Sequence, residues 1–112
     1  MNEELSDVKK IAGSVKPQLV LMPPVAEELI CQVLKSGADK YGAWNWRITG
    51  VEMATYVSAM KRHIAAIHRG EWLDPESGKP HIAHVAASAC IIMDADANEV
   101  LDREVVKPEV IK

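Results

Sequence analysis

The sequence predicts an all-α fold: a compact domain of three to four helices, with an extended N-terminal strap and a C-terminal tail. Three observations predict it. The 112 residues contain no phenylalanine and are rich in alanine, a composition that favours helices over sheets. Apolar residues recur at helical spacing over 25–41 and again over 51–69. A third stretch, beginning at His81, carries alanines, a serine and a cysteine on nearly every face, the pattern of a helix closely approached by its neighbours.

Taken in order, residues 1–15 are charged, with a short amphipathic possibility around Leu5, Val8 and Ile11; they read as a loose or weakly helical arm. Residues 16–24 (KPQLVLMPP) are held out of helix by Pro17 and stopped by Pro23 and Pro24, so they read as an extended strap able to lie across the helices. Pro24 suits the first turn of the next helix, whose apolar stripe is Ala26, Ile30, Val33, Leu34, Gly37 and Tyr41. Glu28, Lys35 and Asp39 lie opposite that stripe and Lys40 on its flank; Gly42 ends the helix.

The loop 42–50 (GAWNWRITG) holds two of the three tryptophans, with Asn45 between them. It is either a hydrophobic lid over the core or a stacking platform for a planar ligand. The helix over 51–69 turns Met53, Tyr56, Val57, Met60, His63, Ile64 and Ile67 inward, and Arg62 away unless a ligand or partner covers that side. Gly70 closes it, and DPESG forms a tight turn in which Gly78 is free to take a positive φ. The next helix opens with His81 and His84, and residues 94–98 end it. The tail, 99–112, starts as a possible helical turn and becomes extended around Pro108, suited to lie against a neighbouring chain.

At 12.3 kDa this is one domain, 16–98, between an arm and a tail; it buries about two-thirds of its unfolded surface, so a homodimer or higher homo-oligomer is a natural supplement. A net charge of −3 argues against a nucleic-acid binder, because the basic excess that neutralises phosphates is missing. No apolar run reaches the roughly 20 residues that span a bilayer, and the N-terminus has no signal-peptide core, so the expected location is cytoplasmic, without a membrane partner. Cys31 and Cys90 sit in apolar helical patterns and read as reduced core thiols.

The residues with chemical potential are His63, Glu71, Asp74, His81 and His84. On a wheel of about 100° per residue, His81, His84, Val85, Ser88 and Ile92 share one arc. Histidines at i and i+3 can reach one cation, and a carboxylate from the preceding turn can complete the sphere. Such a cation polarises a phosphoryl oxygen or supplies a nucleophile from water. Lys40, Lys61 and Arg62 are available for phosphate charge. The bland alternatives are carboxylates that cap the turn and histidines that hydrogen-bond one another in the core. HExxH, a Gly-rich phosphate loop and a nucleophile elbow are all missing.

In sequence order, KPQLVLMPP, GADKYGAWNW, the Arg62–His63 pair and GEWLDPESGKPHIAH resemble the N-terminal domain of bacteriophage dATP/dGTP diphosphohydrolases, over about residues 16–94. The resemblance implies phage or prophage origin, hence host cytoplasm, and cleavage of a deoxynucleoside triphosphate to monophosphate and pyrophosphate. More distantly it implies likeness to MazG-type helical pyrophosphohydrolases, which present carboxylates to Mg²⁺ through ExxE and ExxD pairs. This chain departs from that pattern: Glu28 is followed by Cys31 and Gln32, and the later helix offers His81 and His84. Mg²⁺ prefers oxygen ligands, so this set suits Mn²⁺, Zn²⁺ or another transition metal better.

Residues and resemblance together lead to metal-dependent hydrolysis of dATP or dGTP as the expected function. A divalent metal (Mg, Mn or Zn) is held by His63, Asp74, His81 and His84; Glu71 is the general base beside Asp74. Lys40 and Arg62 meet phosphate, while Trp44, Asn45 and Trp46 read the purine. The main rival is a phage protein that binds or sequesters a nucleotide or nucleotide-like signal without cleaving it. A purely structural domain is the third reading.

Overall fold

The computed structural model describes residues 3–106. Among them the order of elements is helix α1 (Glu3–Ser14), a 3₁₀ turn at Leu19–Leu21, helix α2 (Pro24–Tyr41), the single-turn helix α3 (Trp46–Thr49), strand β1 (Val51–Glu52), helix α4 (Met53–His68), helix α5 (His81–Ala97) and strand β2 (Leu101–Asp102). The fold is mostly helical, as the composition and periodicity imply.

α5 is the central element. It packs on α4 and on α2, and touches α3. Val51 ahead of α4 pairs with Leu101 beyond α5, while His63 late in α4 meets His81 at the start of α5, so the two helices run antiparallel. The most buried apolar residues are small: Val51, Ala54, Ala66, Ala83, Ala87 and Ala95. Alanines at these contacts let helix backbones approach closely, and the larger side chains, such as Ile30, Leu34, Met60 and Ile92, close around them half-buried. Among the described residues no helix is long and apolar enough to cross a membrane.

The arm takes the helical one of its two expected forms, from Glu3 to Ser14. Several local expectations change. The expected strap does not lie across the helices: Leu19, Val20 and Leu21 are 83%, 87% and 77% exposed. Their backbone is satisfied locally, Leu21 N–H donating to Gln18 C=O at 2.9 Å and Met22 N–H to Leu19 C=O at 3.1 Å, so the segment coils instead of extending. The tryptophan loop contains α3, and Tyr41 and Ile64, expected on inner stripes, stay largely exposed. Cys31 is exposed, not a core thiol, and Cys90 is half-buried; both are free.

Among the described residues of the tail, 99–106, no helical turn forms. Val100 C=O accepts from Val51 N–H at 2.9 Å, and the chain continues as β2, parallel to β1 of the same molecule. Gly50 makes this approach possible: its φ is +78°, and a Cβ there would lie 3.2 Å from Val100 O. Residues 107–112 of the tail lie outside the described residues.

Candidate metal centre and nucleotide cleft

Between α4 and α5 the chain reverses through a turn with its own hydrogen bonds. Asp74 N–H donates to Lys79 C=O at 2.8 Å, Gly78 N–H to Asp74 C=O at 2.7 Å, and His81 N–H to Trp72 C=O at 2.9 Å. Gly78 takes a φ of +72°, the left-handed conformation the sequence reserved for it. Asp74 Oδ1 accepts from the N–H groups of Glu76 (2.8 Å) and Ser77 (3.4 Å). One carboxylate oxygen is thereby committed to the turn, and the other is directed at the histidines.

That second oxygen, Asp74 Oδ2, lies 3.7 Å from His63 Nδ1, 4.0 Å from His81 Nδ1 and 3.9 Å from His84 Nε2. The two Nδ1 atoms are 2.8 Å apart. Asp74 Oδ2 and this Nδ1 pair have a common equidistant point about 2.1 Å from each, the length of a Zn–N or Zn–O bond. Donor atoms of His63, Asp74 and His81 all fall within 4.8 Å of one another. His84 stands beside this triad. Its ring stacks on His63 at 4.6 Å with 5° between planes, and its Nε2 shares a 2.7 Å hydrogen bond with Ser77 Oγ.

Glu71 completes the arrangement from outside. Its Oε1 lies 2.7 Å from His81 Nε2, the nitrogen turned away from the triad. A carboxylate behind a metal-facing imidazole fixes the ring's orientation and tautomer. When His81 Nε2–H donates to Glu71, the neutral ring presents its Nδ1 lone pair to His63. Two imidazole nitrogens, a carboxylate oxygen and an outer carboxylate suit a divalent transition ion; Mg²⁺, which favours oxygen throughout, suits them less well.

The electrostatics agree with neutral His63 and His84 rings beside an ionised acid. Burial, reinforced by the neighbouring His84, lowers the His63 pKa. Burial also lowers that of His84, against the raising influence of Asp74. For Asp74, burial acts upward, but the Glu76 and Ser77 amides and the nearby imidazoles more than offset it and hold the carboxyl below its ordinary range.

The cluster opens into a cleft of about 730 Å³ that also carries Lys40, Arg62 and Arg69. Arg62 is exposed on α4 yet lines this cleft, together with Ala59, His63 and Ala66 of the same helix and Ser36 and Lys40 of α2. Arg69 and Ser77 were missed in the sequence; Arg69 sits directly before Gly70, beside the motif that holds the acids. A second cavity, of about 320 Å³, shares His63 and His84 with the cleft and is also lined by Asn45 and Trp46.

Trp44 is not brought to either space. It lines a separate apolar groove with Cys31 and Cys90, and the Arg47 guanidinium lies 4.3 Å above its ring. Trp46 is tied to α5 by a 2.8 Å hydrogen bond from its Nε1 to Asp94 Oδ2, and Arg47 holds the same carboxylate with bonds of 2.9 Å and 2.7 Å. The Arg47 and Trp46 donors hold the Asp94 pKa down at about 2.

Comparison with known proteins places these residues in context. A dATP/dGTP diphosphohydrolase of Salmonella phage PMBT28 is 34% identical over 77 residues, covering 69% of this chain and 26% of the relative. The chain therefore spans about a quarter of the length of that relative. No solved structure matches it. The family described as "dATP/dGTP diphosphohydrolase, N-terminal" matches residues 6–104. With a match of that extent, the chain belongs to this family of dATP/dGTP diphosphohydrolase N-terminal domains.

Proposed function

We propose that this cleft hydrolyses a purine deoxynucleoside triphosphate, dATP or dGTP, to the monophosphate and pyrophosphate, with a divalent metal as cofactor. The observation that carries the reading is Asp74 Oδ2 set among three imidazole nitrogens, in a cleft that also holds Lys40, Arg62 and Arg69. The substrate class is supported by the family and by the name of the longer phage relative.

His63 Nδ1, His81 Nδ1 and Asp74 Oδ2 would hold the cation, with Glu71 orienting His81. When bound, a divalent cation supplies Lewis-acid polarisation of a phosphoryl oxygen. Lys40, Arg62 and Arg69 bind the triphosphate and offset its charge. With its Nε2–H donated to Ser77 Oγ, the neutral His84 ring keeps an Nδ1 lone pair that accepts a proton from the attacking water. The water oxygen bonds to the α-phosphorus as the bond to the α,β-bridging oxygen breaks, and pyrophosphate leaves. Glu71 is assigned an orienting role in place of the expected general base, because its Oε1 is engaged with His81.

The test is incubation of the full chain with each deoxynucleoside triphosphate and with Mn²⁺, Zn²⁺ or Mg²⁺, with products separated by chromatography. dATP and dGTP should yield monophosphate and pyrophosphate, and H84A should lose roughly 10²–10⁴-fold in turnover while remaining folded. Intact nucleotide, together with a ligand-induced rise in Tm, would replace hydrolysis by binding alone.

A further inference from the structure

We infer that the inner cavity between α2, α4 and α5 receives the planar base of the nucleotide, and that Tyr56 and Ser88 join Asn45 in reading the base's polar edge. The inference rests on the proposed function and adds a subsite with two residues that neither the sequence reading nor family membership assigns.

The first support is position. The cavity and the cationic cleft share His63 and His84, whose stacked rings stand 4.6 Å apart at the boundary. A nucleotide with its phosphates beside Lys40 and Arg62 therefore has a half-open, largely apolar pocket next to it. The second support is size. At about 320 Å³ the cavity lies at the lower end of small-ligand pockets, enough for a ring system and too little for a whole triphosphate.

The third support is chemistry. Leu34, Ala87 and neighbouring aliphatic residues make apolar walls, while Asn45, Tyr56 and Ser88 contribute a carboxamide and two hydroxyls. Among the described residues, these three side chains make no hydrogen bond within the protein, and no buried polar atom is left without a partner, so the three groups are reachable from open space. A base has the matching form: two apolar faces and an edge of donors and acceptors. Polar groups that pair only with the right edge discriminate strongly, since a wrong edge leaves them unsatisfied. Trp46, anchored by Asp94 at 2.8 Å, supplies a fixed aromatic surface. Trp44 has no part in this subsite.

The experiment measures equilibrium binding of dGMP, dAMP and inorganic tripolyphosphate to the full chain. S88L, which fills the cavity, should weaken the better-bound monophosphate at least tenfold and leave tripolyphosphate binding unchanged. Y56F and N45A should each reduce the preference between dGMP and dAMP several-fold. S88L that keeps the wild-type circular dichroism and binds the monophosphates like wild type overturns the inference. If S88L does not fold, unaltered monophosphate binding by both Y56F and N45A overturns it. A wild-type chain that binds tripolyphosphate but neither monophosphate also overturns it while sparing the phosphate cleft. Binding of no probe at all defeats the proposed function itself.

Discussion

The Nδ1 atoms of His63 and His81 face each other across 2.8 Å, although 18 positions separate them in the chain. Two lone pairs repel at that distance and two N–H groups collide, so the contact needs one proton between the rings, or one cation held by both. Asp74 Oδ2 approaches from a third side and favours either occupant.

Metal retention follows from that triangle. The purified chain should take up Zn²⁺ or Mn²⁺ and melt at a higher temperature, with about 2.7 kcal/mol of added stability when the free ion is at 100 times its Kd. H63A and D74N should lose both the bound ion and the metal-induced shift. Elemental analysis after gel filtration checks this, and equal retention by both variants would place the ion elsewhere.

Glu71 should matter to metal affinity without being a ligand. E71Q keeps the side-chain shape but removes the charge facing His81 Nε2. Its affinity for the ion should fall roughly 10–100-fold at unchanged helicity, as for other groups behind a metal-facing imidazole. Competition with a chelator gives the number, and wild-type affinity would remove the orienting role.

Acid should weaken the metal-free protein through its imidazoles. His63 and His84 titrate below 6.5 when folded, so the unfolded chain binds their protons first. Their contribution is complete above pH 6.5 and is lost as pH falls from there through the lowered folded values. Melts in EDTA between pH 8 and pH 5 should show Tm declining with acid, and H84A should flatten the slope. Parallel profiles for the two proteins would contradict the assignment.

Asp94 acts in a lower window. Its pKa is held down from 3.8 to about 2 by Arg47 and Trp46, so the tie is fully formed above the unfolded value and is lost as pH falls through about 2. D94A should lower Tm and shift tryptophan emission to the red at neutral pH, and the difference from wild type should shrink as pH falls from 3.8 through about 2. Identical emission from both proteins at pH 7 would mean that Asp94 does not hold Trp46.

The helices and the turn were legible because their signals are local. Pro24 opens α2, Gly42 ends it, and Gly78 permits the turn that presents Asp74, each through an interaction within a few residues. The triad was legible for a related reason: His81 sits just past that turn, and the period of α4 turns His63 toward it.

What only the tertiary structure decided is which distant groups meet. Periodicity placed Arg62 outside, yet the cleft that α4 shares with Ser36 and Lys40 of α2 takes it in. Nothing in the tryptophan loop separates Trp44 from Trp46; that division comes from Asp94, 48 positions beyond Trp46. The pairing of Val51 with Leu101 likewise depends on how α5 packs against α4. Local spacing determines which face of a helix a residue occupies; the surroundings of that face are set by contacts between segments far apart in the chain.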